Sequence, residues 1–388
     1  MKRPLVRIAL NAVLLAASLI VVMAVLEAHF RAFDPQSLRL SRSDPVLGWN
    51  HVPNTSGFWR KSCFSSEINF NAEGMRDVDH DLKKPHGTYR IAVIGDSYVT
   101  AQEVAFDDTF FRRLLHILSR QGHEIEVLGF GVRGFGTDQA YQLLDHYALK
   151  YDPDLVILTF VPNDVGNNLL ELEINPAKPY FEPRPDGSLK LRPFTPMPDH
   201  SGTWKSTLFE SFHIVRFLYY AGARIPVIHN ALVKFGVYAN VLSNPAGPND
   251  LLDDTVYRNL PWPAVWEEAW QVTMGLIQKI RALSAGGGAE FILFSATKAI
   301  EVDDRLFTTL QLQHPGLALQ YDNMEKRLAK FSRAKDIDYV SSLSAMRNMK
   351  FNGKSVHLDC DGHWSRHAHK RAAELLADHI ISRGLYGR

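Results

Sequence analysis

The sequence lacks an excess of charge of either sign. Its 43 lysines and arginines balance 42 aspartates and glutamates, for a formal net charge of +1. No run of basic residues occurs beyond the N-terminus. Binding to nucleic acid needs a concentrated positive surface, so this class of partner is excluded. Internal repeats are also absent, and a composition that is 46% hydrophobic and 22% charged predicts one large folded domain, or one domain with an appendage.

Cysteine is scarce, with two residues among 388, which allows at most one intramolecular disulfide. These residues, Cys63 and Cys360, fit an exported protein with a single bond between them, although free thiols remain an alternative.

Long hydrophobic runs are also lacking, with one exception at the N-terminus. Ile8 to Leu26 is almost entirely apolar and follows Lys2, Arg3 and Arg7. A helix of this length can cross a bilayer, and the preceding positive charges place its start in the cytoplasm. A cleaved signal peptide with a site at Val22 to Ala24 is the alternative. Both interpretations predict that the globular part is exported. The membrane-anchor interpretation further predicts a single-pass protein of the inner membrane, with its globular part in the periplasm or otherwise outside the cytoplasm.

The rest of the chain alternates strand-like and helix-like segments from Tyr89 onward. This alternation predicts an α/β fold, a three-layer doubly wound parallel sheet with ligands bound outside the carboxyl ends of its strands. The predicted strands are Ile91 to Ile94, Glu124 to Leu128, Leu155 to Phe160, Glu290 to Phe294 and Ile337 to Val340.

Three regions are predicted: an anchor or signal at 1–30, an extension packed on the core at 31–88, and a main domain at 89–388 that contains a cap insertion at about 165–261. The insertion is too long for an ordinary connection. We expect it to cover the ligand edge of the sheet, with plain surface packing as the alternative. Trp262, Trp266 and Trp270 form one helical stripe, which predicts core packing.

The strongest chemical signal is Ser97, which follows an apolar strand and Gly95. A serine in this place is either part of a strand-to-helix turn or a nucleophile, and a nucleophile needs a base and donors for an oxyanion. Gly134 and Asn163 follow the second and third predicted strands, so both belong to the same sheet edge as Ser97. The Ser97 N–H, the Gly134 N–H and the Asn163 amide are therefore the predicted oxyanion donors.

A base for Ser97 is available near the C-terminus. His363 lies in the loop before the last predicted helix, and Asp361 could fix its tautomer and stabilise its charged form. Asp359 is the alternative acid. His367 and His369, further along, are expected to be solvated helix positions.

These motifs resemble those of the SGNH hydrolases, also called GDSL esterases or lipases, from about Tyr89 to the C-terminus. The resemblance implies a flavodoxin-like fold, ester hydrolysis without a cofactor, and these roles: Ser97 as nucleophile, His363 as base, Asp361 as its partner, and Gly134 and Asn163 in the oxyanion hole. The matching blocks are Gly95-Asp-Ser97, Val132-Arg-Gly134, Asn163-Asp164 and Asp361-Gly-His363-Trp364. Exported or membrane-anchored bacterial members also carry an extension like Leu47-Gly-Trp49 and Asn71 to Asp77.

The sequence departs from the family pattern at the last matching block. Here Asp361-Gly-His363 has the form Asp-x-His, where the family has Asp-x-x-His. Similar closings occur in relatives that resemble alginate O-acetyltransferases. Acyl transfer therefore stays open beside hydrolysis, because both proceed through an acyl-serine. The expected substrate is an ester, an O-acyl group on a cell-surface glycan or a lipid.

Three other interpretations fit parts of the sequence. Gly129-x-Gly-x-x-Gly134 has the form of a dinucleotide fingerprint, but no acid ends the next strand to hold a ribose. A zinc site could use His363 and His367 with Asp359 or Cys360, although no His-Glu-x-x-His motif is present. A binding protein without turnover would keep the same fold.

Overall fold

The computed structural model describes residues 2–33, 40–122, 124–173, 175–197, 203–223, 227 and 254–386. The chain divides into two compact units, Met1–Leu40 with Asp199–Pro245 and Ser41–Pro198 with Ala246–Arg388. The predicted cap insertion, 165–261, contributes to both units, and its residues 174, 198–202, 224–226 and 228–253 lie outside the described residues. The predicted domain limits, and the covering of the site by the insertion, stay predictions.

The elements are numbered here in chain order over the described residues. The strands are β1 (Ser41–Asp44), β2 (Gly48–His51), β3 (Ser56–Lys61), β4 (Phe64–Asn69), β5 (Tyr89–Gly95), β6 (Ile125–Gly131), β7 (Leu155–Phe160), β8 (Phe181–Pro183), β9 (Leu189–Leu191), β10 (Glu290–Ser295) and β11 (Asp338–Ser341). The helices are α1 (Lys2–Phe33), α2 (Ser97–Thr100), α3 (Phe110–Ser119), α4 (Thr137–His146), α5 (Asp164–Asn167), α6 (Leu170–Glu173), α7 (Trp204–Ser211), α8 (His213–Ala223), α9 (Ala264–Gly286), α10 (Ala299–Val302), α11 (Asp304–Gln313), α12 (Asn323–Ala334), α13 (Leu343–Phe351) and α14 (Arg366–Arg383).

The first unit contains α1, α7 and α8. Within α1, Val6–Phe33 is long and apolar enough to cross a membrane, with a mean hydropathy of 2.6, a test that a signal sequence also passes. Helix α8 packs against the end of α1, where the rings of Phe30 and Phe217 stack 4.7 Å apart. The Ile214 N–H donates to Glu27 Oε2 at 2.9 Å.

We expect the full-length protein to sediment with membranes and to resist extraction by high salt. A spanning helix is held by the burial of apolar surface in lipid, and salt does not weaken this interaction. Fractionation followed by N-terminal sequencing is the measurement. Recovery of a soluble form that begins near Val25 would show instead that the segment is a cleaved signal.

The second unit is organised around a five-stranded sheet with the order β11-β10-β7-β5-β6. All neighbouring strands are parallel, which confirms the predicted doubly wound architecture. Gly95 at the end of β5 lies opposite Gly131 of β6, and Ile94 lies opposite Leu158 of β7. The segments that follow these three strands therefore leave the sheet at one edge.

The apolar side chains of the three central strands are buried, as expected for a sheet covered on both faces. Trp266 and Trp270 of α9 are also buried in the core, as the tryptophan stripe predicts. Trp262 shares this core but precedes the helix. Helix α13 intervenes between the last strand and the loop that carries His363, a connection the sequence analysis did not predict.

Strand β6 is longer than predicted, because it continues through Gly129 to Gly131. A Cβ atom at Gly129 would lie 2.7 Å from the ring of Phe111, and one at Gly131 would lie 2.5 Å from the backbone nitrogen of Thr100. These glycines let α3 and α2 approach the strand closely. The first two glycines of the apparent fingerprint thus belong to a strand, and they do not form a phosphate-binding turn.

Candidate active site

Ser97 is the first residue of α2, directly after β5 and Asp96. The Asp96 carboxylate caps this short helix, because its Oδ1 accepts the Tyr98 N–H at 2.9 Å. Burial raises the pKa of Asp96. The cap and the close packing on Gly131 hold Ser97 at the end of the sheet, where it is 8% exposed.

His363, the predicted base, lies beside this serine, and its Nε2 is 2.9 Å from Ser97 Oγ. Its other ring nitrogen, Nδ1, contacts Asp361 Oδ1. This arrangement fits a neutral imidazole that accepts the serine proton at Nε2 while Nδ1–H donates to the carboxylate. Asp359 is exposed, and the structure gives it no hydrogen bond with His363 among the described residues, so Asp361 occupies the place of the acid.

Asp361 is held from two sides, with a side chain that is 1% exposed. Its Oδ2 lies 2.5 Å from Lys61 Nζ, at the end of β3. Burial alone would raise the pKa of Asp361, but the hydrogen bonds from His363 and Lys61 outweigh burial and hold the pKa well below its usual range. Asp361 is therefore a carboxylate at neutral pH.

A second carboxylate near the histidine was not predicted from the sequence. Glu103 Oε1 lies 3.7 Å from His363 Nδ1, is 1% exposed at its side chain, and pairs with Arg133. Arg133 belongs to the matching block Val132-Arg-Gly134, but Glu103 stands in no recognisable motif. Its position depends on the path of the chain after α2, which no local pattern reports.

Glu103, Asp361 and His363 also offer ligand atoms within 4.8 Å of one another, so they could hold a metal ion. This group differs from the zinc ligands considered from the sequence. Cys360 is bonded to Cys63, and His367 is exposed on α14.

The two other predicted oxyanion donors lie at the same edge of the sheet. Gly134 follows β6 in the left-handed region, with φ +77°, a conformation that favours glycine. Asn163 precedes α5, and its Nδ2 donates to Asn167 Oδ1 at 2.8 Å. Asn167 in turn contacts Glu173. The Asn163 amide is thus held by one of its two N–H groups, which leaves the second as a candidate oxyanion donor.

Asp164, beside Asn163, is fully buried in the second unit. Burial raises its pKa well above the usual range, and the nearby Asp96 raises it further. Thr137 Oγ1 donates to Asp164 Oδ2 at 3.3 Å. The raised pKa favours the neutral form of Asp164, which places no negative charge beside the predicted oxyanion donors.

Two residues of the extension position these elements. The Trp49 Nε1–H donates to the Arg133 carbonyl at 2.9 Å, directly before Gly134. Arg76 is 2% exposed and donates to the carbonyl of Thr100 at 3.1 Å, at the end of α2, and to that of Val104 at 2.7 Å. Burial lowers the pKa of Arg76 to about 10.

His369 was expected to be solvated, but it is 2% exposed. Its Nδ1 accepts the Phe110 N–H at 3.2 Å, and its ring stacks with that of Phe110. Burial lowers the pKa of His369 to about 3, so it is neutral. The expectation was wrong because the face of α14 that carries His369 packs against α3. The polarity of a residue does not predict such a tertiary contact.

Cys63 and Cys360 form a disulfide in the structure, across 297 positions of sequence. The bond joins the turn between β3 and β4 to the residue before Asp361. Reduction is expected to cut activity before the sheet unfolds, and to lower the free energy of unfolding by up to about 5 kcal/mol, because it releases a long closed loop.

Activity and tryptophan fluorescence measured across a series of reductant concentrations test this expectation, with non-reducing peptide mapping to identify the bond. Two alkylatable thiols in the folded, active enzyme would contradict it.

No protein-family model matches the chain, and no curated protein matches it either. Among solved structures, the chain is similar to a lipase/acylhydrolase from Enterococcus faecalis, with 14% identity over 76% of this chain and 96% of that one and a TM-score of 0.37. It is also similar to a catalytic mutant of an acetylxylan esterase from Geobacillus stearothermophilus, with 12% identity over 75% and 94% of the chains and a TM-score of 0.39. A lipase from a goat rumen metagenome gives 11% identity over 77% and 99%, with a TM-score of 0.38.

Proposed function

We propose that this protein is an SGNH-type serine hydrolase that acts on an ester. The contact that carries the proposal joins Ser97 Oγ to His363 Nε2 at 2.9 Å, with Asp361 on the other ring nitrogen. A serine is reactive only when a base lies within hydrogen-bond reach and is itself oriented, and this group of side chains meets both conditions. The ordered motifs of the sequence support the same assignment.

In the proposed reaction, Ser97 Oγ attacks the ester carbonyl while its proton moves to His363 Nε2. Asp361 stabilises the resulting imidazolium. The Ser97 and Gly134 N–H groups and the Asn163 amide would donate to the oxyanion of the tetrahedral intermediate. His363 then protonates the leaving alcohol, and an acyl-serine forms. Water, activated by His363, releases the acid and restores the serine.

The proposed substrate is an O-acyl group on a cell-surface glycan or a lipid, and the proposed location is outside the cytoplasm, tethered by α1. The candidate membrane helix and the disulfide support export.

A series of p-nitrophenyl esters of short and long acyl chains tests the proposed chemistry. Rapid quenching and peptide mass analysis should find the acyl group on Ser97. An added glycan alcohol that carries away the acyl group in place of water would identify acyl transfer. Turnover with no acyl group on Ser97, and with complete dependence on added metal, would overturn the serine mechanism.

A further inference from the structure

The hairpin of β3 and β4 reaches the proposed active site at its turn. Lys61 pairs with Phe64 as the last register position of the hairpin, and Cys63 lies in the turn between them. Both residues contact the loop that carries the base: Cys63 through the disulfide to Cys360, and Lys61 through Asp361. The extension is therefore in direct contact with the acid that orients His363.

The Asp361 carboxylate divides its two oxygens between two partners. Oδ1 faces His363 Nδ1, and Oδ2 lies 2.5 Å from Lys61 Nζ. A carboxylate can rotate about its Cβ–Cγ bond, and an ion pair with a cation at one oxygen restricts this rotation and so fixes the direction of the other oxygen. Lys61 is 42% exposed at its side chain, while that of Asp361 is 1% exposed, so the ammonium group approaches the buried acid from the solvent side.

The same hairpin supports the second carboxylate near the histidine. The Arg133 guanidinium lies 4.8 Å from the centre of the Trp59 ring, and Arg133 pairs with Glu103. The hairpin thus contributes a cation to Asp361 and an aromatic face to the arginine that holds Glu103. Each carboxylate that faces His363 Nδ1 is neutralised by its own cation.

We propose that Lys61 is a positioning residue of the active site, which acts on His363 through Asp361. Its ammonium group fixes the second carboxylate oxygen, so that the first stays directed at Nδ1 throughout the reaction. This role rests on the proposed serine mechanism, and it gives the extension a part in the chemistry that the sequence motifs do not assign to it.

Lys61→Met removes the charge but keeps the length of the side chain. We expect kcat to fall about tenfold, with KM unchanged within about twofold, because Asp361 contacts the base and not the substrate. Lys61→Arg keeps the charge and the donors, and should retain at least about half of the wild-type kcat. Lys83→Met is the matched control, since it removes an exposed lysine from the same extension and should leave kcat unchanged.

A second readout does not depend on turnover. The proton between His363 Nδ1 and Asp361 should give a far-downfield NMR resonance in the wild type and in Lys83→Met. It should be absent in Asp361→Asn and weakened or shifted in Lys61→Met. Because no substrate is present, this signal reports the positioning alone. If ester hydrolysis survives Ser97→Ala while the resonance still responds to Lys61→Met, the proposed function fails and the role of Lys61 stands.

An unchanged kcat and resonance in Lys61→Met would overturn the proposal. So would a Lys61→Arg variant as slow as Lys61→Met, because the charge would then be irrelevant. A loss of activity seen only in KM would also contradict it.

Discussion

Replacement of Ser97 by alanine is expected to lower kcat for ester hydrolysis by at least about a thousandfold. Without the hydroxyl no acyl-serine can form, and only the oxyanion donors and substrate binding remain to accelerate attack by water. The fold should tolerate the change, because the Ser97 side chain does not cap α2 and the Asp96 carboxylate does. Steady-state rates with a short-chain p-nitrophenyl ester measure the effect, and thermal unfolding checks that the protein remains folded.

Non-additivity provides a stricter form of this test. Because Ser97 and His363 act as one unit, the double variant Ser97→Ala/His363→Ala should be no slower than Ser97→Ala alone. Full activity in Ser97→Ala would reject the serine mechanism. If that activity were also lost on chelation of divalent metal, Glu103, Asp361 and His363 would become the ligands to examine.

Replacement of Asn163 by alanine should lower kcat by about a hundredfold or more and change KM little. A donor to the oxyanion strengthens its hydrogen bond only as negative charge develops, so its loss is felt in the transition state and not in substrate binding. The short-chain ester again serves as substrate, and kcat and KM are determined separately. Asn352→Ala, which removes an exposed amide, is a suitable control and should match the wild type.

The opposite pattern would assign Asn163 a different role. If Asn163→Ala raised KM and left kcat unchanged, the amide would bind the substrate and would not stabilise the oxyanion. Asn167→Ala offers an intermediate test, because it removes the acceptor that holds the Asn163 amide at 2.8 Å. A smaller fall in kcat is expected there, since the donor itself is kept.

The sheet and the grouping of Ser97 with Gly134 and Asn163 were predictable because their signals are local or follow from topology. Leu155 to Phe160 is an uninterrupted apolar run, and its predicted bounds match β7. Parallel strands in one sheet place the segments after their ends at one edge, so the sequence alone groups Ser97, Gly134 and Asn163.

The supporting residues could not be predicted, because their partners are distant in sequence and are chosen by packing. Glu103 and Lys61 stand in no motif of the sequence, and the pattern Asn71 to Asp77 that contains Arg76 assigns it no role, yet Glu103 and Arg76 are buried in the fold. Gly129 and Gly131 gave a misleading turn signal, since glycine also occurs where helices approach a strand closely. The burial of His369 was not predicted either, because it results from a contact between two helices that are distant in sequence.

The bond between Cys63 and Cys360 also bears on biogenesis, given the proposed export. An exported chain crosses the membrane from its N-terminal side, so the hairpin emerges early and Cys360 follows 297 positions later. Lys61 meets Asp361, and Ser97 meets His363, only after the chain has been translocated as far as position 363. The order of residues thus delays the assembly of the proposed active site until His363 has crossed the membrane, and a chain stalled before that point carries Ser97 without its proposed base.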